Sequence, residues 1–167
     1  MTTLRVQFIH GLEGSPAGAK AQLLAAHFTA TTPAMDTHDF PACVELHRAT
    51  LASFRPDVLI GSSFGGAVAV ALLQRGVWRG PTLLLAQAAL CYGLPAQLPE
   101  GVHVWLIHGQ RDDVVNIDDS HVLARSGTPE LVRFIEVDDD HSLSGLVQSG
   151  RLLEIVGELA ATATRPR

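Results

Sequence analysis

The sequence predicts a three-layer α/β fold in which helices cover both faces of a mainly parallel sheet of five or six strands. The first observation is that short apolar runs alternate along the chain with longer helical patterns, which is typical of repeated βαβ units. The second is size: 167 residues, 47% of them apolar and 17% charged, suffice for one domain, residues 1–167, with little chain left for another.

The chain begins with a strand, a helix and a second strand. Residues 4–9 alternate apolar and polar side chains, as a half-buried strand does, and run into a loop that starts at His10. Residues 17–28 are rich in Ala and Leu and predict a helix. Residues 29–35 predict only a weak or edge strand, because Pro33 cannot donate a hydrogen bond to a neighbouring strand.

A second helix, a third strand and a third helix follow. Residues 43–54 carry apolar side chains at helical spacing, and Pro56 ends this helix because the residue before a proline avoids the helical conformation. Residues 57–61 predict a compact apolar strand. Residues 67–73 are a helix-prone run of small residues that ends near Gly76.

The rest of the chain predicts three more strands and a closing helix. The apolar runs 82–86, 102–107 and 131–137 predict buried strands, and residues 143–161 predict one amphipathic helix. Right-handed crossovers bring the carboxyl ends of parallel strands to one edge of the sheet, where ligands bind in open α/β folds. The residues that follow each strand are therefore the candidates for function.

Composition and charge argue against several classes of protein. Twelve basic and seventeen acidic residues give a net charge of −5, and the basic residues are scattered, so neither nucleic acid nor a membrane is an expected partner. Cys43 and Cys91 show no disulfide or metal pattern, and residues 1–5 lack the apolar stretch of a secretory signal, so a reduced, cytoplasmic protein is expected. The eight histidines have no metal-ligand spacing, so no metal and no cofactor is expected.

A candidate nucleophile follows the third predicted strand. Residues 61–65 read Gly-Ser-Ser-Phe-Gly, which fits the pattern Gly-x-Ser-x-Gly of a sharp strand-to-helix turn that presents one serine. Bulk at Gly61 or Gly65 would collide with a neighbouring strand or helix. Ser63 would then lie at a helix N-terminus, whose dipole favours developing negative charge. A flexible loop of Gly and Ser is the alternative interpretation.

Candidate acids follow the strand predicted at residues 102–107. A carboxylate here could hold an imidazole in one tautomer and stabilise its cation. Asp112 and Asp113 compete for this role, and Asp118 and Asp119 are weaker candidates. The alternative is a solvated acidic turn that caps the next helix.

His141 is the candidate base, since it follows the last predicted strand. The order of Ser63, an aspartate and His141 along the chain is the order expected of one fold among the unrelated folds that carry such a triad. Taken alone, a histidine that follows three aspartates is more often a surface residue.

Two backbone N–H groups are candidate donors to an oxyanion. Leu12 lies in the glycine-rich loop after the first strand, and Phe64 directly follows the candidate nucleophile. We expect His10 to brace its own loop rather than to act on substrate. Glu13 should point outwards to solvent, because a carboxylate would repel the charge that an oxyanion site stabilises.

The motifs at residues 10–16, 61–66, 108–112 and 140–142, in this order along the chain, resemble those of the α/β-hydrolase superfamily and, within it, the short, lidless bacterial esterases similar to YqiA. The resemblance covers nearly the whole chain and implies a compact three-layer α/β-hydrolase fold with no cap domain. In that family the acidic residue stands three positions beyond the His-Gly pair, here residues 108–109, which implies Asp112 rather than Asp113. The family's oxyanion donors fall on Leu12 and Phe64. The chain is shorter than most members, lacks space for a cap domain, and is expected to lack their leading antiparallel strands.

The sequence therefore predicts a serine hydrolase of small-molecule carboxylic esters or thioesters, with Ser63 as nucleophile, His141 as base and Asp112 as orienting acid. Without a cap, the cleft should be open and suit short acyl groups. Candidate pocket walls, each of which could equally be ordinary core, are Leu12, Met35, His38, Phe40, Phe64, Leu90, Tyr92, Val114 and Leu143. Two alternatives stay open: a non-catalytic α/β-hydrolase-fold protein that binds a ligand or partner, and another acyl-transfer enzyme such as a peptidase or acyltransferase.

Overall fold

The computed structural model describes residues 3–164, which fold around one six-stranded sheet. The strands are β1 (Arg5–Ile9), β2 (Thr29–Thr31), β3 (Val58–Ser62), β4 (Thr82–Leu85), β5 (Val104–Gly109) and β6 (Val132–Val137). The helices are α1 (Ala19–His27), α2 (Phe40–Phe54), α3 (Phe64–Gln74), α4 (Ile117–Ala124), α5 (Ser144–Gln148) and α6 (Arg151–Thr164). The order across the sheet is β2-β1-β3-β4-β5-β6, and every neighbouring pair is parallel.

Helices cover both faces of the sheet, and each face has its own apolar core. One face packs against α2, α3 and α4, with Leu51, Val68 and Leu123 in its core. The other packs against α1, α5 and α6, with Leu24 and Ile155 in its core. The central strands β3 and β4 are buried along their whole length, as parallel strands covered on two faces must be. None of the helices within residues 3–164 has the length and apolar character needed to cross a bilayer.

The topology opens a crevice between β1 and β3. These two strands are neighbours, but the helix that follows β1 covers one face of the sheet and the helix that follows β3 covers the other. The chain therefore diverges at their carboxyl ends, which is where open α/β sheets bind ligands. The loops after β1 and β3 both carry candidate site residues, so the fold itself brings these residues together.

The predicted strands and helices differ from those of the structure by one to four residues at one or both ends, and the differences at β2 and α2 have a clear physical cause. The edge strand β2 is Thr29–Thr31 instead of residues 29–35, because it pairs only with β1 and over three residues. Helix α2 begins at Phe40, ahead of the predicted start, because the Asp39 side chain accepts a hydrogen bond from the Ala42 N–H at 3.0 Å. That cap satisfies a backbone donor that the first turn of a helix otherwise leaves open.

The prediction of one helix over residues 143–161 is wrong. Gly150, with φ of 76°, separates α5 from α6, and only glycine adopts this left-handed conformation without strain. Helix α4 was not predicted, although it has a recognisable start. Asn116 accepts a hydrogen bond from the Asp118 N–H at 2.9 Å, and acidic residues in the first turn complement the helix dipole.

Gly65→Ala is expected to destabilise the fold by about 3 kcal/mol, since its Cβ would overlap the backbone carbonyl groups of Ile9 and His10. Gly157→Ala is the matched control, because no atom lies within 4 Å of an added Cβ there. Alanine is also the better helix former by about 1 kcal/mol. Urea unfolding measures both free energies, and a Gly65→Ala protein as stable as the wild type would contradict the close packing of α3 against β1.

Candidate active site

Ser63 stands alone between β3 and α3 in a conformation that side-chain-bearing residues rarely adopt. Its φ is 55° and its ψ is −114°, outside the main allowed regions. The turn is held on both sides: the Ser63 N–H donates to Leu85 O at 2.9 Å, and Ser63 O accepts from the N–H groups of Ala67 and Ala88 at 3.1 Å. Bonds to α3 and to the end of β4 therefore maintain the strained turn.

Glycines allow the backbone to close around this turn. A Cβ on Gly61 would overlap the carbonyl group of Gly65, and a Cβ on Gly65 would overlap the β1 backbone. At Gly11, in the loop after β1, a Cβ would lie 3.1 Å from Ser62 O and 3.3 Å from Ser63 Cβ. The loops after β1 and β3 thus touch at the candidate nucleophile.

The structure brings Ser63, His141 and Asp112 together in one chain of hydrogen bonds. His141 Nδ1 lies 2.8 Å from Asp112 Oδ2, and His141 Nε2 lies 2.9 Å from Ser63 Oγ. The carboxylate can only accept, so Nδ1 carries the proton and Nε2 accepts the hydrogen of the Ser63 hydroxyl. The Asp112 side chain is fully buried, whereas that of His141 is 21% exposed and reaches the cleft.

Asp112, rather than Asp113, is the aspartate in contact with His141. Its Oδ1 accepts hydrogen bonds from the Val114 and Val115 N–H groups, each at 2.8 Å. Burial works to raise the pKa of Asp112, but the bonds from Val115, His141 and Val114 outweigh it, so the pKa lies below its ordinary value. The Asp112 carboxylate is therefore ionised at neutral pH. Asp113 is exposed.

The other rival acids lie elsewhere in the fold. Asp118 and Asp119 stand in the first turn of α4, where Asn116 caps the helix. They complement the helix dipole there.

The two candidate oxyanion donors have no internal hydrogen-bond acceptor. Neither the Leu12 N–H nor the Phe64 N–H donates to any group among residues 3–164. Phe64 is the first residue of α3, whose N-terminal N–H groups carry the positive end of the helix dipole. Leu12 is 55% exposed and Glu13 is also exposed, and Gly11 of the same loop lies against the Ser63 turn.

His10 contacts its own loop. Its Nδ1 lies 2.8 Å from Gly11 O, a carbonyl that can only accept, so Nδ1 is the protonated nitrogen. Behind it lies His47, whose pKa burial lowers to about 4, with the neighbouring His10 adding to the effect. Gln7 donates to both Nδ1 and the carbonyl oxygen of His47, at 2.9 and 3.2 Å. The loop after β1 therefore packs against a buried polar cluster of His10, His47 and Gln7.

A buried aspartate holds the loop that carries His141. Asp139 is 7% exposed, and its two carboxylate oxygens accept from the Asp140 N–H at 2.9 Å and the Leu146 N–H at 3.2 Å. Asp140 in turn accepts from the Ser142 N–H at 3.0 Å. These bonds fix the backbone on both sides of His141.

Lys20 ties α1 to the same loop by donating to Ser142 O at 2.7 Å. Burial lowers the pKa of Lys20, and the negative charges of Asp139 and Asp140 oppose that shift. The tie joins the wall of the crevice to the segment that positions His141.

A cavity of about 600 Å³ opens in front of Ser63, between the loop after β1, α1 and the loops after β5 and β6. The acidic residues Glu13, Asp113 and Asp140 line it together with Lys20, and His141 also lines it. Residues 3–164 contain no group of three or more His, Cys, Asp or Glu side chains placed to hold a metal ion.

The predicted pocket walls divide into two groups. Leu12 and Val114 line the cavity, while Met35, His38, Phe40, Phe64, Leu90, Tyr92 and Leu143 do not. The reason is an aromatic cluster on the α2 side of Ser63, in which the Phe64 ring meets Phe40 and Tyr92 edge-on at 5.7 and 5.1 Å. Met35 and Leu90 pack against the core on this side, Leu143 is fully buried, and His38 is exposed. The crevice opens on the α1 side instead.

Three polar residues of the site were not predicted: Lys20, Asp139, and His108, whose Nε2 lies 3.0 Å from Asp112 Oδ2. Lys20 is the single lysine of the chain, on an otherwise Ala-rich helix, which is a signal that could have been used. His108 is the residue before the last of the buried strand β5 and precedes a glycine, and His10, directly after β1, also precedes a glycine. Asp139 stands between two exposed aspartates, and nothing in the sequence distinguishes it from them.

Comparison with known proteins establishes the fold class. No protein-family model matches the chain, and no curated protein matches it. Among solved structures, a candidate hydrolase of the α/β superfamily from Xanthomonas campestris pv. campestris has a TM-score of 0.76 at 20% identity, over 98% of each chain. A candidate hydrolase from Agrobacterium vitis has a TM-score of 0.75 at 19% identity, over 94% of this chain and 88% of its own.

The esterase domain of a Rhodothermus marinus protein is also similar, with a TM-score of 0.66 at 17% identity, over 94% of this chain and 85% of its own. At these identities the likeness is one of fold. The chain has the α/β-hydrolase fold, with six parallel strands and no cap domain among residues 3–164, as the sequence predicts.

Asp139→Ala is expected to destabilise the protein by about 2 kcal/mol, because it leaves two N–H groups without their acceptor. Asp138→Ala is the matched control: its ion pair with Arg111 is largely exposed, and its loss should change stability by about 0.5 kcal/mol or less. Thermal and urea unfolding provide the comparison. Equal effects of the two substitutions would show that Asp139 does not brace the loop.

Proposed function

We propose that this protein is a serine hydrolase that cleaves carboxylic esters or thioesters, with short acyl groups preferred, through a covalent acyl-enzyme. One observation carries the proposal: Ser63 Oγ, His141 and Asp112 form a continuous hydrogen-bonded chain with distances of 2.9 and 2.8 Å. The serine also stands at a strained turn that begins a buried helix. This is the arrangement that activates a serine for attack on a carbonyl.

In the first half of the reaction, Ser63 Oγ attacks the substrate carbonyl carbon while His141 Nε2 takes the hydroxyl proton. Asp112 stabilises the imidazolium through its bond to Nδ1. The imidazolium then gives its proton to the leaving alcohol or thiol as the tetrahedral intermediate collapses. In the second half, water attacks the acyl group with His141 again as base, which restores Ser63 and releases the acid. Protein groups and water perform every step, so the mechanism requires no metal or organic cofactor.

The tetrahedral intermediate carries a negative oxygen that needs donors. The Phe64 and Leu12 N–H groups are the proposed donors, since both are unpaired within the described residues. Each such donor contributes about 3 kcal/mol to transition-state stabilisation in well-studied hydrolases. The dipole of α3 adds to the positive potential at the same point.

The assignment to the short, lidless esterases similar to YqiA is part of this proposal. Its support is the all-parallel sheet, which has no cap domain among residues 3–164, together with the motif order from His10 to His141. A cytoplasmic location, supported by the free thiols of Cys43 and Cys91, and a small-molecule ester as substrate are further parts of the proposal. The cleft is open on one side, so the protein does not enclose a long acyl chain.

A fluorophosphonate probe tests the nucleophile directly. One adduct per chain is expected by intact mass on the wild type and none on Ser63→Ala, because phosphonylation requires an activated serine. On a neutral acetate ester, Asp112→Asn should lower kcat by about 10⁴-fold, since an amide favours the wrong His141 tautomer. Asp113→Asn should retain wild-type kcat. The opposite pattern for the two aspartates would overturn the assignment of the acid.

The alternative is a non-catalytic binding protein that retains the hydrogen-bonded residues. No adduct on a folded wild type would favour it. A peptidase or acyltransferase would give the same adduct, and product analysis with amide substrates and alcohol acceptors separates these from an esterase.

A panel of acyl groups tests the substrate class. Acetyl and butyryl esters should react faster than decanoyl esters, because the open cleft lacks an enclosed apolar pocket. Hemisuccinyl esters should react about fivefold more slowly than butyryl esters, since Glu13, Asp113 and Asp140 line the cavity and repel a carboxylate. Glu13→Gln should reduce the rate difference between butyryl and hemisuccinyl esters and leave the difference between butyryl and decanoyl esters unchanged. A preference for decanoyl or hemisuccinyl esters would contradict the proposed substrate class.

A further inference from the structure

A second chain of polar side chains reaches Asp112, and the proposed mechanism uses none of it. Its members are Gln87 just after β4, Ser120 on α4 and His108 on β5, all 0% exposed. Gln87 Nε2 lies 3.0 Å from Ser120 Oγ, and Ser120 Oγ lies 2.7 Å from His108 Nδ1. His108 Nε2 lies 3.0 Å from Asp112 Oδ2, the oxygen that also accepts from His141.

The backbone N–H of Ala89 can only donate, and this fixes the direction of the first hydrogen bonds in the chain of polar side chains. The Ala89 N–H donates to Gln87 Oε1 at 2.8 Å, so the amide nitrogen of Gln87 faces Ser120 and donates to it. The single hydrogen of the Ser120 hydroxyl is then free to be donated to His108 Nδ1. His108 Nδ1 is thereby an acceptor.

The other ring nitrogen of His108 carries the proton. It lies 3.0 Å from Val115 O and 3.0 Å from Asp112 Oδ2, and both oxygens can only accept. The Nε2–H of His108 donates to the Val115 carbonyl, and its partly positive hydrogen also lies near the Asp112 carboxylate. An imidazole with the proton on Nδ1 would instead place a lone pair against two oxygens.

We propose that His108 is a positioning residue for Asp112, with its tautomer set by Ser120 and Gln87. This inference rests on the proposed function. The His108 N–H holds Val115, whose own N–H holds Asp112 Oδ1, so the loop is fixed at both its carbonyl and its amide side. The result is a carboxylate that presents Oδ2 to His141 in one orientation. His108 contacts no substrate and moves no proton.

The ordinary alternative is that His108 only fills space in the core. Substitutions of similar size separate the two roles: His108→Phe keeps the bulk and loses the donor, while His108→Gln keeps an N–H at a similar reach. A positioning role predicts that His108→Phe lowers kcat about tenfold or more with KM unchanged, and that His108→Gln recovers much of the loss. A space-filling role predicts that His108→Phe keeps wild-type kcat.

Ser120→Ala tests the tautomer with a smaller change in volume, and it serves where His108→Phe does not fold. Ser126→Ala is its matched control. Ser126 follows the same helix, donates to Leu123 O at 2.6 Å and accepts from the Leu98 N–H at 2.8 Å, with no bond to the polar chain. We expect Ser120→Ala to lower kcat and Ser126→Ala to leave it unchanged.

Nitrogen-15 spectra of histidine-labelled protein give a readout that does not depend on ester hydrolysis. In the wild type, His108 should show a protonated Nε2 and an unprotonated Nδ1, and His141 the reverse. In Ser120→Ala the His108 pattern should change, and in His108→Phe the protonated Nδ1 population of His141 should fall. A His108 protonated on Nδ1 in the wild type, or a His141 signal unaffected by His108→Phe, would overturn the proposal even for an enzyme that hydrolyses esters. The expected spectra in a protein without esterase activity would overturn the proposed function and leave the positioning of Asp112 standing.

Discussion

The close approach of the Ser63 turn to β1 is the constraint on which the rest of the structure depends. No linker separates β3 from α3, so one residue must reverse the chain, and Ser63 does so at a φ of 55°. The reversal presses the start of α3 against β1, where only glycine fits at position 65. Residues 64–73 of α3 are all buried, so the packing that holds this helix in the core also holds the candidate nucleophile at its N-terminus. Strain at Ser63 persists because this packing over-determines it.

Most of the chemistry could be predicted from the sequence because it stands at the ends of strands. Strand ends are marked by a change from apolar to polar residues, and the parallel topology gathers them at one edge. That reasoning predicted the positions of Ser63, Asp112 and His141, which the structure brings within hydrogen-bonding distance. The choice between Asp112 and Asp113 is different, because it depends on which side chain turns towards His141. For two adjacent residues of a loop, the sequence pattern does not indicate which side chain does so. Family resemblance, rather than spacing, favoured Asp112.

The cleft walls could not be predicted in the same way. Residues after β2, β4 and β6 also lie near the carboxyl edge, but the side on which the crevice opens depends on how side chains close the other side. Phe40, Phe64 and Tyr92 pack together on the α2 side, with Phe40 and Tyr92 stacked at 5.5 Å. The closure is a tertiary contact among three segments distant in sequence, for which no local periodicity exists. Gly150 likewise interrupts the last helix at a point that the apolar pattern alone does not mark.

Two imidazoles of opposite tautomer meet at one carboxylate oxygen of Asp112. His141 is protonated on Nδ1 and partly exposed, whereas the hydrogen-bond directions around His108 place its proton on Nε2 in a fully buried site. The difference in exposure fits their different roles. His141 transfers a proton and needs access to the cleft, whereas His108 orients Asp112 and needs fixed partners and exclusion of water. The loop that carries His141 is also held by charged groups on the side that faces α1. Asp139 and Asp140 fix its backbone and oppose the burial that lowers the pKa of Lys20, so the carboxylates that hold the loop also favour the charge that ties it to α1.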